Sequence, residues 1–157
     1  SDLLCGRVDP ATAREILDFW RQGRLVPAEE ALRRVPEVLC VVRDAKGGLV
    51  GLNSAYRAVD PDSFRVYYYY RTFIRDADRG VSGLPTRMLR LAIACLEERA
   101  GIDGVDGLRL VMENPKLMHP AIDKRLRDAG FEALGNDSRG CAIWQLGFAP
   151  ETTTPAG

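Results

Sequence analysis

The chain has 157 residues, 46% of them hydrophobic and 28% charged, which is the make-up of one globular domain rather than a disordered or fibrous chain. Lys plus Arg equals Asp plus Glu at 22 each, so no electrostatic footprint for nucleic acid or an anionic membrane exists. No apolar run nears the ~18 residues of a membrane span and no signal peptide opens the chain, so the expectation is a soluble, cytoplasmic protein.

Leu3 to Val8 reads as a short first strand. Asp9-Pro10 then supplies an N-cap followed by proline at the first helical position. Ile16, Leu17, Phe19 and Trp20 form a helical stripe that Gly23 stops. Pro27 opens a second short helix with Ala28, Ala31, Leu32 and Val35 on one side, ending before Pro36. Val38 to Arg43, the turn Asp44 to Gly48, and Leu49 to Val59 make a hairpin. Phe64 to Ile74 is a long strand whose alternate side chains face opposite ways. Leu84 to Ala100 is the strongest helix, with Leu84, Met88, Leu91, Ala92, Cys95 and Leu96 on one face and Gly101 beyond. Leu108 to Met112 is a strand, Pro120 to Ala129 a helix, and Cys141 to Phe148 a final strand. The order β-α-α-β-β-β-α-β-α-β predicts an α/β fold with a mixed, mostly antiparallel central sheet flanked by helices. The domain is expected over 1–148, with 149–157 a flexible polar tail.

The four cysteines, Cys5, Cys40, Cys95 and Cys141, are never closer than 35 residues and sit in apolar segments. They read as small structural hydrophobes. With His119 the one histidine, the common zinc sets cannot assemble, and no metal is expected.

The chemistry concentrates in Thr72 to Leu89, where a strand ends, a loop with two glycines and two arginines follows, and a long helix begins. Glycines let successive backbone N–H groups converge and a ligand approach closely. A helix N-terminus adds about half a positive charge there, so a phosphate or pyrophosphate is the natural guest. Arg75 and Arg79 stand at its rim as bidentate donors. The same composition also serves as a plain turn. No Walker sequence and no G-x-G-x-x-G is present.

Ile74-Arg75-Asp76-Ala77-Asp78-Arg79-Gly80, with Gly83-Leu84 and Met88-Leu89 following, resembles the acetyl-CoA loop of the GCN5-related N-acetyltransferases. Glu113-Asn114-Pro115 after a strand, and Gly130-Phe131-Glu132 further on, are similar to a second feature of that family. The resemblance covers Leu3 to Phe148 and implies acetyl-CoA or another acyl-CoA as partner, with an amine as acceptor. It implies that the pantetheine arm hydrogen-bonds beside Phe73, Ile74 and Arg75, and that the pyrophosphate rests on amides from Arg79, Gly80, Val81, Ser82, Gly83 and Leu84, with Asn114 nearby. It leaves a homodimer open and implies no nucleic acid or membrane partner.

The chain departs from the family pattern in three places. Gly80-Val81-Ser82-Gly83 is one residue longer than the usual loop, Pro85 replaces a small residue, and Leu126 stands where the family carries a tyrosine acid. Candidate acids and bases are therefore Tyr68, Tyr70, Glu113 and His119. Tyr67 to Tyr70 lie on a strand, so Tyr68 and Tyr70 share a face, and at least two of the four are expected in the core.

Overall fold

A computed structural model describes residues 2–23, 26–75, 83–112 and 120–148. Its elements run β1 (Asp2–Leu3), α1 (Pro10–Gly23), α2 (Ala28–Arg34), a 3-10 turn (Val35–Glu37), β2 (Val38–Arg43), β3 (Leu49–Val59) and β4 (Val66–Ile74). There follow α3 (Leu84–Asp103), β5 (Gly107–Met112), α4 (Pro120–Asp128), β6 (Glu132–Asn136) and β7 (Ala142–Gly147). The hydrogen-bonded strand order is β1-β2-β3-β4-β5-β7-β6. β4 and β5 are parallel, whereas β1–β2, β2–β3, β5–β7 and β6–β7 are antiparallel. This is the mixed sheet that the sequence predicts. The chain falls into two compact units, Ser1–Ala55 with Arg71–Leu96, and Tyr56–Tyr70 with Glu97–Gly157. β3, β4 and α3 contribute to both.

In the first unit, α1 starts where expected because the Asp9 Oδ1 accepts the Thr12 N–H at 2.7 Å. That bond, from a backbone donor, holds the Asp9 carboxyl below its ordinary range. Ile16 and Trp20 of α1 pack with Val26, Ala31, Val38, Val41 and Leu52 into one core cluster. Leu32 is not part of it. It is 67% exposed, since the seven-residue α2 turns only Ala31 inward. A second cluster joins Cys40, Val42 and Val50 of the hairpin to Leu84 and Met88 of α3. Gly51 makes that junction close: a Cβ there would lie 3.1 Å from the Phe73 carbonyl oxygen and 3.6 Å from Met88 Cε.

Three sequence expectations are corrected. The first strand ends at Leu3 rather than Val8, because Cys5 and Gly6 take positive φ values of 47° and 83°, a left-handed conformation that ends extended pairing. Cys5 and Cys95 are not free thiols but form a disulfide, while Cys40 and Cys141 are free. No spacing rule announces a pair 90 residues apart. In the second unit, β6 is a strand absent from the predicted order. All five of its residues are exposed, so it carries no hydrophobic alternation and is held by its ladder to β7.

Two bounds there also move: β4 begins at Val66 rather than Phe64, whose φ is 61°, and α3 runs on through Gly101 to Asp103. Tyr67 to Tyr70 pair in register with Gly107 to Leu110. β5 and β7 approach so closely that a Cβ on Gly107 would lie 2.5 Å from the Leu146 carbonyl oxygen. The end of α4 is closed by the Phe131 N–H donating to the Leu126 carbonyl and the Gly130 N–H to that of Arg127, with Gly130 at φ 99°. This is a Schellman cap, and its accompanying apolar pair is Leu126 and Phe131, both buried.

Candidate active site

The joint that the sequence singles out lies between β4 and α3. Of its expected residues, Phe73, Ile74, Arg75, Gly83 and Leu84 are described. Arg79, Gly80, Val81 and Ser82 lie outside the described residues, as do Glu113, Asn114 and His119.

Gly83 caps α3. Its carbonyl accepts the first intrahelical bond, from the Arg87 N–H at 3.0 Å, while its φ of 78° is in the region that favours glycine. Among the described residues no heavy atom lies within 4 Å of where its Cβ would stand. The next residue, Leu84, is buried and anchors the first turn in the cluster with Cys40, Val42, Val50 and Met88. Ile74 packs on the same cluster, and Phe73 meets the Trp20 ring edge-on at 5.9 Å. The end of β4 and the start of α3 are therefore seated on one set of core contacts in the first unit.

The Arg75 N–H donates to the Val50 carbonyl at 2.8 Å. That amide is committed to β3, and the alternation of a strand directs the Ile74 groups to the opposite edge. The Arg75 guanidinium lies 3.8 Å from Asp44 in the hairpin turn. Asp44 is held below the ordinary carboxylate range by the Gly48 amide first, then by the Lys46 amide and the Arg75 charge.

Sequence reasoning missed the residue that seats α3. Asn53 is fully buried. Its Oδ1 accepts the Cys40 N–H at 2.9 Å, and its Nδ2 donates to the Met88 carbonyl at 2.9 Å. The Cys40 amide needs it because the β2–β3 register shifts between Val38 and Cys40. An asparagine inside a run of strand formers was the available signal. Burial pushes the Cys40 thiol up to about 11, so this cysteine is no nucleophile near neutrality.

In the second unit the tyrosine run divides by environment. Tyr67 and Tyr68 are buried, one on each face of β4, while Tyr69 and Tyr70 are partly exposed. The Tyr68 hydroxyl donates to Asp103 Oδ2 at 2.6 Å. Burial, reinforced by that bond and by the Asp103 charge, moves the phenol well above its ordinary value. Tyr68 thus holds its proton and joins the sheet to the end of α3, which Arg57 also reaches through the Asp103 carbonyl. On the other face, the Arg109 guanidinium lies 3.9 Å from the Tyr67 ring centroid. It donates to Gln145, Tyr69 and Asp60 at 2.9, 3.3 and 3.1 Å. Tyr69 in turn stacks on Tyr56 at 5.4 Å. A separate shallow cleft beside Arg127, Asn136 and Trp144 contains none of the expected site residues. Among the described residues no His, Cys, Asp and Glu cluster fit for a metal occurs, and no helix is long and apolar enough to cross a membrane.

No protein-family model matches the sequence, and no curated protein matches it. Solved structures do match. A GNAT superfamily phosphinothricin acetyltransferase from Sinorhizobium meliloti, in complex with AcCoA, is 22% identical over 91% of this chain and 86% of its own, with a TM-score of 0.59. The GNAT domain of S. lividans PAT is 13% identical over 90% and 88%, at 0.63. A GNAT family acetyltransferase from Brucella melitensis in complex with acetyl-CoA is 17% identical over 90% and 85%, at 0.55. The chain has the fold of the GCN5-related N-acetyltransferases.

Proposed function

We propose that a chain with this fold and this β4–α3 joint is an acyl-CoA-dependent N-acyltransferase, moving acetyl from acetyl-CoA to a primary amine within a ternary complex. One observation carries the proposal. The residue capping α3 is a glycine at φ 78° with no described heavy atom within 4 Å of its Cβ position, which suits close approach of a pyrophosphate to a helix N-terminus. The solved structures of this fold that hold acetyl-CoA support the same reading.

In this proposal the amides from Arg79 to Leu84 cradle the pyrophosphate, and the pantetheine arm lies along Phe73 to Arg75. The Arg75 amide, already given to Val50, contributes through its side chain instead. Asn114 supports the arm. The neutral amine attacks the thioester carbonyl, a C–N bond forms, the C–S bond breaks, and the thiolate takes a proton. Tyr70, Glu113 and His119 are the proton-handling candidates. Tyr68 serves the fold, since its hydroxyl is turned to Asp103. Positioning and backbone donors to the oxyanion supply most of the rate.

A second reading has one observation in its favour. Leu126, at the family's tyrosine position, is a buried partner of Phe131 in the α4 cap, which fits an acyl-CoA-binding module without catalysis. Calorimetric titration with acetyl-CoA, followed by chromatographic assay of CoA release with amines, separates the two. Binding with amine-dependent release is expected. Binding without release selects the module, and no heat at all removes both.

A further inference from the structure

Leu4 to Arg7 is a β-turn, closed by the Arg7 N–H donating to the Leu4 carbonyl at 2.9 Å. Its two central residues, Cys5 and Gly6, have φ values of 47° and 83°. Those are the signs of a type I′ turn, whose usual occupants are glycine, asparagine and aspartate. A cysteine in the left-handed region is unfavourable, so the backbone alone does not account for Cys5. Its sulfur does, because it is joined to Cys95 of α3. The two ends of this crosslink differ in access: Cys95 is 2% exposed, whereas Cys5 is only partly buried.

The segment that carries Cys5 is short and peripheral. β1 is the edge of the sheet and pairs with β2 through Asp2–Val41 and Leu3–Cys40. Beyond it, the amides of Leu4, Cys5 and Gly6 donate to the Leu39 and Val38 carbonyls at 2.7 to 2.9 Å, and Leu4 packs against the Trp20 cluster. Leu3 is 49% exposed. Such an edge segment lies at the low end of local stability once a crosslink no longer holds it. It covers β2, in which Val38 to Val42 are all buried. The segment, β2 and Cys95 belong to the first unit.

We infer that Cys5 is a thiol-exchange site, at which a low-molecular-weight thiol opens the crosslink and frees residues 2–7 from α3. The inference is independent of the acyl-transfer reading. A thiolate attacks the Cys5 sulfur, the reachable one of the pair. A mixed disulfide forms on Cys5, the bond to Cys95 breaks, and the Cys95 sulfur leaves with the electron pair and takes up a proton. A second thiolate attacks the small thiol's own sulfur in that mixed disulfide, giving the oxidised thiol dimer and the Cys5 thiol. Two thiols are thereby oxidised and the crosslink is reduced by two electrons. Burial of the leaving sulfur slows the first step, so opening follows sustained exposure to thiol. Cys40, opposite Leu3 in the ladder, does not compete, since burial pushes its thiol up to about 11.

The test incubates the full, folded chain with millimolar glutathione, alkylates it with iodoacetamide without denaturant, and maps the label by peptide mass spectrometry. Before glutathione, Cys5 is expected to carry no label. Afterwards Cys5 is alkylated or glutathionylated, while Cys95 and Cys40 react only once denaturant is added. Hydrogen exchange at the Leu4, Cys5 and Gly6 amides should rise at least about tenfold on opening, with the Ala92 amide of α3 unchanged. Cys5→Ser, a substitution at a partly exposed turn, should show the same fast exchange without any thiol and no further rise with it. Label on Cys5 before thiol is added, equal labelling of Cys5 and Cys95, or a crosslink that glutathione opens only in denaturant overturns the inference. So does an N-terminal segment whose exchange is unchanged in Cys5→Ser.

Discussion

Asn53 and Met88 are joined by a 2.9 Å hydrogen bond from the side-chain amide of a buried strand residue to a carbonyl of α3. With its other end on the Cys40 amide, Asn53 satisfies two backbone groups and sets where the helix starts relative to the strands beneath it.

Asn53→Leu is accordingly expected to cost about 2–4 kcal/mol, the range for stranding buried polar groups and removing their bonds. Urea unfolding measures it. Acetyl-CoA affinity should fall as well, because α3 loses its seat. A loss below 1 kcal/mol would show that water replaces the amide.

Gly83→Asp brings a carboxylate to the N-cap of α3 at a φ of 78°. Aspartate tolerates the left-handed region better than most residues, and its charge suits a helix N-terminus. The fold should survive with a small loss of Tm. Acetyl-CoA affinity should fall at least tenfold, since the added charge opposes the pyrophosphate. Unchanged affinity by calorimetry would make the joint a turn and nothing more.

Tyr68→Phe separates structure from catalysis. Asp103 loses the hydroxyl that donates to it and keeps the more distant Arg99 at 3.8 Å, so stability falls by roughly 1–3 kcal/mol while kcat is retained. The phenol's raised value in the fold also sets a pH dependence. A proton held more tightly in the folded state favours folding fully below the ordinary phenol value near 10. That stability is lost as the pH climbs above it. Absorbance at alkaline pH should show one tyrosine that ionises only as the protein unfolds.

The Cys5–Cys95 disulfide encloses 90 residues of chain, for which the chain-entropy account expects about 4–5 kcal/mol. Thiol titration in denaturant without reductant should count two thiols, those of Cys40 and Cys141. Adding reductant should lower the Tm. Four titratable thiols before reduction would remove the crosslink.

The sequence showed the fold wherever pattern and packing agree. The α3 stripe was legible because Leu84, Met88, Ala92, Cys95 and Leu96 are all buried on one side. The β2–β3 turn was legible because Asp44 caps the Lys46 and Gly48 amides itself. β6 was not, since a strand exposed at every residue leaves no periodic signal. At the candidate site, the glycine-rich joint announced itself locally. Asn53, Asp103 and Arg109 did not, because their meaning lies in partners 13 to 49 residues distant, as for Cys40 and Asn53 or Asp60 and Arg109.

Gly51 bears on how far such a protein can vary. With the Phe73 carbonyl oxygen 3.1 Å from where a side chain would begin, even alanine would act as a wedge between the hairpin and the end of the fourth strand. The methyl of Met88, at 3.6 Å, is an ordinary contact and would tolerate it. Variants that replace Gly51 should regain function only where the backbone at Phe73 can give way, so the residues flanking 73, and not position 88, are the ones to randomise with it.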